Sequence, residues 1–182
     1  ITFTNGRAGH DVISFNGAMT ISLGSGLPAL TDAVGTTIMG RPGVIIDGTG
    51  APNATTGLTL SGTGARLIGL EIAHMPKLGV RIDGANAEVR ECFIHDGGDV
   101  GVQVLTTGVV IDDTEVSTHP GETLLLNGPV TITNCRLHHG FLGIAFYSNS
   151  NGSRAIGNRL WSNTLRGASV ATNVTGLVLW HN

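Results

Sequence analysis

Five of the seven histidines fall in four short, evenly spaced segments, together with three carboxylates and the single lysine. The segments carry His74 and Lys77, then His95, Asp96 and Asp99, then His119 and Glu122, then His138 and His139. Imidazole and carboxylate are the side chains that move protons near neutral pH. Two carboxyl groups can divide acid and base roles when their surroundings separate their pKa values. Asp96 and Asp99, with Glu122 or His139, are therefore the candidate catalytic residues. Arg81 or Lys77 could hold an acidic sugar or stabilise a developing oxyanion, with Gln103 alongside. Tyr147 and Phe141 offer rings suited to stacking on sugar. The oxygens of Asp96, Asp99 and Glu122 are also the donor type that calcium takes. No ligand spacing marks a metal site, so no metal and no cofactor is expected. The same residue types are common in plain solvated turns, because they satisfy turn backbone and hydrate well. Whether they amount to a site depends on whether the chain gathers them.

The gathering element is a repeat. A small residue followed by an apolar-x-apolar triplet recurs at Gly57, Gly79, Gly101, Thr123, Gly143 and Gly167, in steps of 22, 22, 22, 20 and 24. Counting back 22 from Gly57 reaches Gly35, which opens Gly-Thr-Thr-Ile and supplies a seventh start. A second phrase keeps pace: Leu67 to Ile72, Val89 to Ile94, Ile111 to Val116, Ile132 to Leu137 and Ile156 to Trp161. Its apolar ends lie five positions apart, which a flat strand would put on opposite faces, so the chain must turn between them. Asp113, Asn134 and Asn158 suit that turn, since Asp and Asn tolerate the left-handed conformation. No stretch repeats with helical period, and frequent glycine works against helices. A recurring unit of this kind predicts stacked coils about 4.8 Å apart, each with three short strands around a common core.

Stacking predicts columns. Leu58, Val80, Val102, Leu124 and Ile144 should pile up inside, with Leu60, Ile82, Val104, Leu126 and Phe146 beside them. Thr59, Arg81, Gln103, Leu125 and Ala145 should point out, and that mixture does not fit the regular threonine array of an ice-binding face. Cys92 and Cys135 share a column two coils apart, about 10 Å, beyond disulfide reach. They are expected to be free and buried. The histidine-bearing segments then form one ridge where each third strand passes to the next coil.

The runs from Val89 to Val104 and from Val130 to Phe146 resemble the pectin-lyase-like parallel β-helix repeat. The likeness covers residues 35–182, and the opening stretch from Ile1-Thr-Phe to Ile38-Met-Gly is similar to the first coils of large bacterial secreted β-helix proteins. The resemblance implies an all-β, right-handed parallel β-helix of three sheets and about seven coils. It also implies a substrate groove along the ridge and the neighbouring sheet. The sharper enzyme motifs are absent. There is no Asn-Thr-Asp or Gly-His-Gly, Asp112-Asp113 sits inside a strand phrase, and His139-Gly140 follows histidine.

Composition narrows the rest. Glycine counts 28 of 182 residues and charged residues are only 13%, as suits short strands and tight turns. A net charge of -3 gives no basic stripe for nucleic acid, and no apolar run is long enough to span a membrane. The expected organisation is one β-helix domain over 1–182, with starting coils to residue 34 and regular coils from 35. With no helix read at either end to cap it, the chain is expected to be a segment of a longer solenoid or to stack on copies of itself. The leading expectation is a secreted or cell-surface module with a structural, adhesive or self-assembling role, with polysaccharide as a further candidate partner. The alternative is a lyase or hydrolase acting on acidic polysaccharide.

Overall fold

The structure, a computed structural model, describes residues 9–182, and those residues contain strands and turns but no helix. The phrase Ile1-Thr-Phe lies outside the described residues. The chain winds into a parallel β-solenoid of about eight turns, eight strands deep in its first sheet. In that sheet Ile13, Ile38, Leu67, Val89, Ile111, Ile132, Ala155 and Leu179 lie in register, each over the one before.

Each regular turn holds three strands. One turn runs from Glu88–Arg90 in the first sheet to Phe93–His95 in the second and Val100–Val104 in the third. The expected inner columns hold: Leu58, Val80, Val102, Leu124 and Ile144 are register partners and buried, as are Leu60, Ile82, Val104, Leu126 and Phe146. Burying one such side chain stabilises by about 1.5–3 kcal/mol, and parallel β-branched strands pack well on this seam. The outward column of Thr59, Arg81, Gln103, Leu125 and Ala145 is also in register.

The turns are made by two columns of left-handed residues. Gly69, Glu91, Asp113, Asn134 and Gly157 reverse the chain between first and second sheets, with φ between 44° and 67°. His74, Asp96, Thr118, His139 and Ser162 do so after the second sheet, with φ between 52° and 59°. Asp113 and Asn134 take the expected role. Asn158 does not, because Gly157 makes that turn instead. Asn158 is buried one position later, under Cys135, and its Oδ1 accepts the Cys135 amide at 2.9 Å. Cys92 and Cys135 are both free and buried, as expected.

Two further expectations are corrected. Gly35 does not open a third-sheet strand, because Thr36–Met39 lies in the first sheet against Arg66–Ile68. The turn from Ile38 to Leu67 is 29 residues long, so counting back by 22 slips to another sheet. The extra length is shared by two connections, from Thr36–Met39 to Val44–Asp47 and from Val44–Asp47 to Thr56–Leu60. The ridge, moreover, is not a loop throughout. Glu115–Leu126 and Arg136–Phe146 each run unbroken through the second sheet, the corner and the third sheet, with a register shift between His119 and Glu122.

Candidate functional site

The second left-handed column is the ridge that carries the chemistry. Asp47 pairs with Ala73, so Gly48, His74, Asp96, Thr118, His139 and Ser162 follow one another up the solenoid. A reversed backbone projects each of these side chains away from the core. Between three of these turns opens a cleft of about 420 Å³, lined among others by Asp96, Thr118, His119, His139, Phe141 and Thr164. Two of the four candidate catalytic residues, Asp96 and His139, thus share one cleft. Phe141 is 44% exposed and offers a ring at its rim.

His119 is the buried member of the lining, 2% exposed. Its ring packs against Gly97 and Gly101, where any Cβ would collide with it. Burial pushes the imidazole down to about 4, so it is neutral at physiological pH. Nε2 lies 3.4 Å from the carbonyl of Ile94, which can only accept, so the proton sits there. Nδ1 is left as a bare acceptor, buried and without a partner.

Beside the cleft, the outer face of the second sheet repeats one arrangement twice. His95 Nε2 meets Glu71 Oε1 of the turn below at 3.2 Å, and its Nδ1 meets Asp96 Oδ2 at 2.7 Å. His138 Nε2 meets Glu115 Oε1 at 3.3 Å, and its Nδ1 meets His139 Nδ1 at 2.6 Å. Each imidazole lies flat against an aromatic ring, Phe93 on His95 and Trp161 on His138, both with centroids 4.0 Å apart. Arg136 donates to Glu115 at 2.7 Å. The hydrogen bond from His95 holds the Asp96 carboxyl below the usual carboxylate range. Burial pushes Glu115 up, but hydrogen bonds from Arg136 and His138 outweigh it, and the group ends below its usual range. Glu71, Glu115 and Trp161 were not singled out in the sequence. The signal was there: each glutamate precedes its histidine by one turn plus a two-residue step along the strand.

The remaining candidates lie elsewhere. Asp99 packs with Oδ1 over Gly121, where a Cβ would come within 2.8 Å of it. Glu122 opens the third-sheet part of its strand, in register with Leu142. Neither lines the cleft. Among the described residues no three His, Cys, Asp or Glu side chains are grouped so as to hold a metal ion. Arg81 is engaged by Asp83 at 3.0 Å on the third-sheet face, next to Gln103, while Lys77 is exposed lower on the ridge. Tyr147 is exposed at the far end of the strand from Arg136 to Phe146, roughly 16 Å beyond Leu142 at 3.3 Å per residue. It shares no surface with the cleft.

Two of the cleft's ionisable groups have shifted protonation equilibria. A general acid needs a carboxyl kept protonated near neutral pH, and Asp96 is shifted the other way. A general base needs an accessible lone pair with a pKa near neutrality, and His119 is buried and far below it. The lining also carries the exposed imidazole of His139, the ring of Phe141 and the hydroxyls of Thr118 and Thr164.

Comparison with known proteins agrees with this architecture. The sequence profile described as "Right handed beta helix region" matches residues 38–182. No curated protein matches the chain. Among solved structures, the crystal structure of pectate lyase Pel9A superposes with a TM-score of 0.61 over 86% of this chain, at 12% sequence identity. The chain spans 44% of the length of that lyase, and at this identity the likeness is one of fold.

Proposed function

This chain belongs to the right-handed β-helix family, and on that premise we propose that it is a polysaccharide-binding module of a secreted or cell-surface protein, structural or adhesive in role. The observation that carries the reading is the corner cleft, where the exposed ring of Phe141 stands beside Asp96, Thr118, His139 and Thr164. Apolar ring faces stack on sugar rings while the polar groups take hydroxyls, and a stiff solenoid fixes them before the ligand arrives. Hydrolysis or elimination would need a proton donor or acceptor tuned near neutrality. Asp96 is held below the carboxylate range and His119 is buried and neutral, which weighs against either in that role.

A lyase or hydrolase is the second reading, favoured by Asp96 and His139 lining the same cleft and by the fold shared with a pectate lyase. One experiment separates the two. The protein is run through native gels containing dissolved polysaccharides and, in parallel, incubated with each while reducing ends and unsaturated products are followed. Retardation on at least one polysaccharide without product release is the expected result, and Phe141→Ala should weaken it by about three- to tenfold. Product release abolished by Asp96→Asn or His139→Ala would make the protein an enzyme.

A further inference from the structure

The cleft has a charge character that bears on which polysaccharide it takes, and the inference rests on the binding reading above. No lysine or arginine lines the cleft. Its one carboxylate, Asp96, is ionised and offers only lone pairs, with Oδ2 already held by His95 and Oδ1 the remaining acceptor. His119 adds a second acceptor, Nδ1, which is buried without a partner and belongs to a side chain 2% exposed. Buried polar groups in folded proteins are nearly always satisfied, and an orphan acceptor beside an open cleft calls for a donor. The second imidazole in the lining, His139, has its Nδ1 against the ring of His138 at 2.6 Å. Of the arginines on the adjoining strands, Arg136 is paired with Glu115 at 2.7 Å, and Arg166 lies outside the lining.

We infer that the cleft takes an uncharged, hydroxyl-donating saccharide in preference to uronate chains. A carboxylate on the ligand would meet Asp96 with no lysine or arginine in the lining to offset the repulsion. A sugar hydroxyl, in contrast, can donate to Asp96 or to His119 Nδ1 while the ring face rests on Phe141. Discrimination of this kind is strong when a site's buried polar groups are left unpaired by the wrong ligand.

The test is isothermal titration of the whole chain with cellohexaose, xylohexaose and mannohexaose, and separately with hexagalacturonate. At least one neutral probe is expected to bind, about tenfold or more tighter than hexagalacturonate. Asp96→Asn keeps a residue that tolerates the left-handed turn and removes the charge, so it should narrow that preference several-fold. His119→Leu removes the buried acceptor and should weaken neutral binding about tenfold, with circular dichroism unchanged. If His119→Leu fails to fold, the Asp96→Asn comparison decides. Hexagalacturonate binding as tightly as the neutral probes would overturn this inference and leave the binding reading standing. Failure of all four probes to bind would overturn both. Neutral binding untouched by His119→Leu in a folded protein would also overturn the acceptor role.

Discussion

At the scale of single residues, acidification acts first on His119. The ring titrates at 6.5 when free and at about 4 when folded, because burial penalises its charged form. Between those values the unfolded chain binds a proton that the folded chain refuses, so stability rises with pH across that window. Lowering the pH from 6.5 to 4 should remove on the order of 3 kcal/mol through this residue, with no further loss from it below about 4. Asp47, Asp96 and Glu115 act later and by the opposite shift, since all three are held below their usual values. Their stabilisation is present above the unfolded carboxylate range and is lost as pH falls through the folded values. Urea midpoints between pH 7 and 4 check this, and His119→Leu should flatten the slope; equal slopes in both proteins would contradict it. The two cysteines give a second residue-scale prediction. Burial raises Cys92 to about 11 and Cys135 to about 12, so neither carries thiolate at pH 8. A thiol-specific chromogenic reagent should find no reactive sulfur in the native protein and two in denaturant.

At the scale of elements, the small residue that opens each third-sheet strand is a packing requirement. A Cβ on Gly101 would strike the Val116 side chain and the Thr123 carbonyl, and one on Gly79 would strike Ile94 and the Gly101 carbonyl. Gly101→Ala should therefore destabilise by about 1–3 kcal/mol through overpacking. Gly24→Ala, where nothing lies within 4 Å, should be neutral or slightly stabilising. Chemical denaturation of the two variants measures the difference, and equal stabilities would count against the packing account. The recurrence of these glycines was readable in the sequence; what they make room for was not, because Val116 and Ile94 come from the second phrase of the repeat. Inner and outer columns are legible over residues 57–146, where successive turns stay between 20 and 22 residues. Before that, turns of 25 and 29 residues break the count, which is why Gly35 was placed on the wrong sheet. Pro120-Gly121 reads as a loop, and only the structure reveals an unbroken strand through it. The cleft was half legible. Asp96 and His139 were named, but Asp99 and Glu122 fall away from it because the strand through Glu122 sets its register with Leu142.

At the scale of the whole molecule, each turn touches only the turns above and below it, so stability should be a sum of neighbour terms and not a property of one central core. Val102 stands in the middle of that arrangement, buried between Val80 below and Leu124 above. Val102→Ala removes two methyl groups from a dry seam, and should cost about 1–3 kcal/mol. In a globular core the loss would spread through the domain. In a solenoid it should stay near its origin, raising amide exchange in Leu78–Ile82, Val100–Val104 and Glu115–Leu126 while leaving Thr36–Met39 and Val44–Asp47 close to their original rates. The cleft lies within one or two turns of Val102, so the same variant should loosen ligand binding without any contact to ligand. Hydrogen exchange read by mass spectrometry across the chain distinguishes the two behaviours. A uniform rise in exchange from the first strands to the last would mean that the turns unfold as one unit, and the picture of independent stacked neighbours would fail.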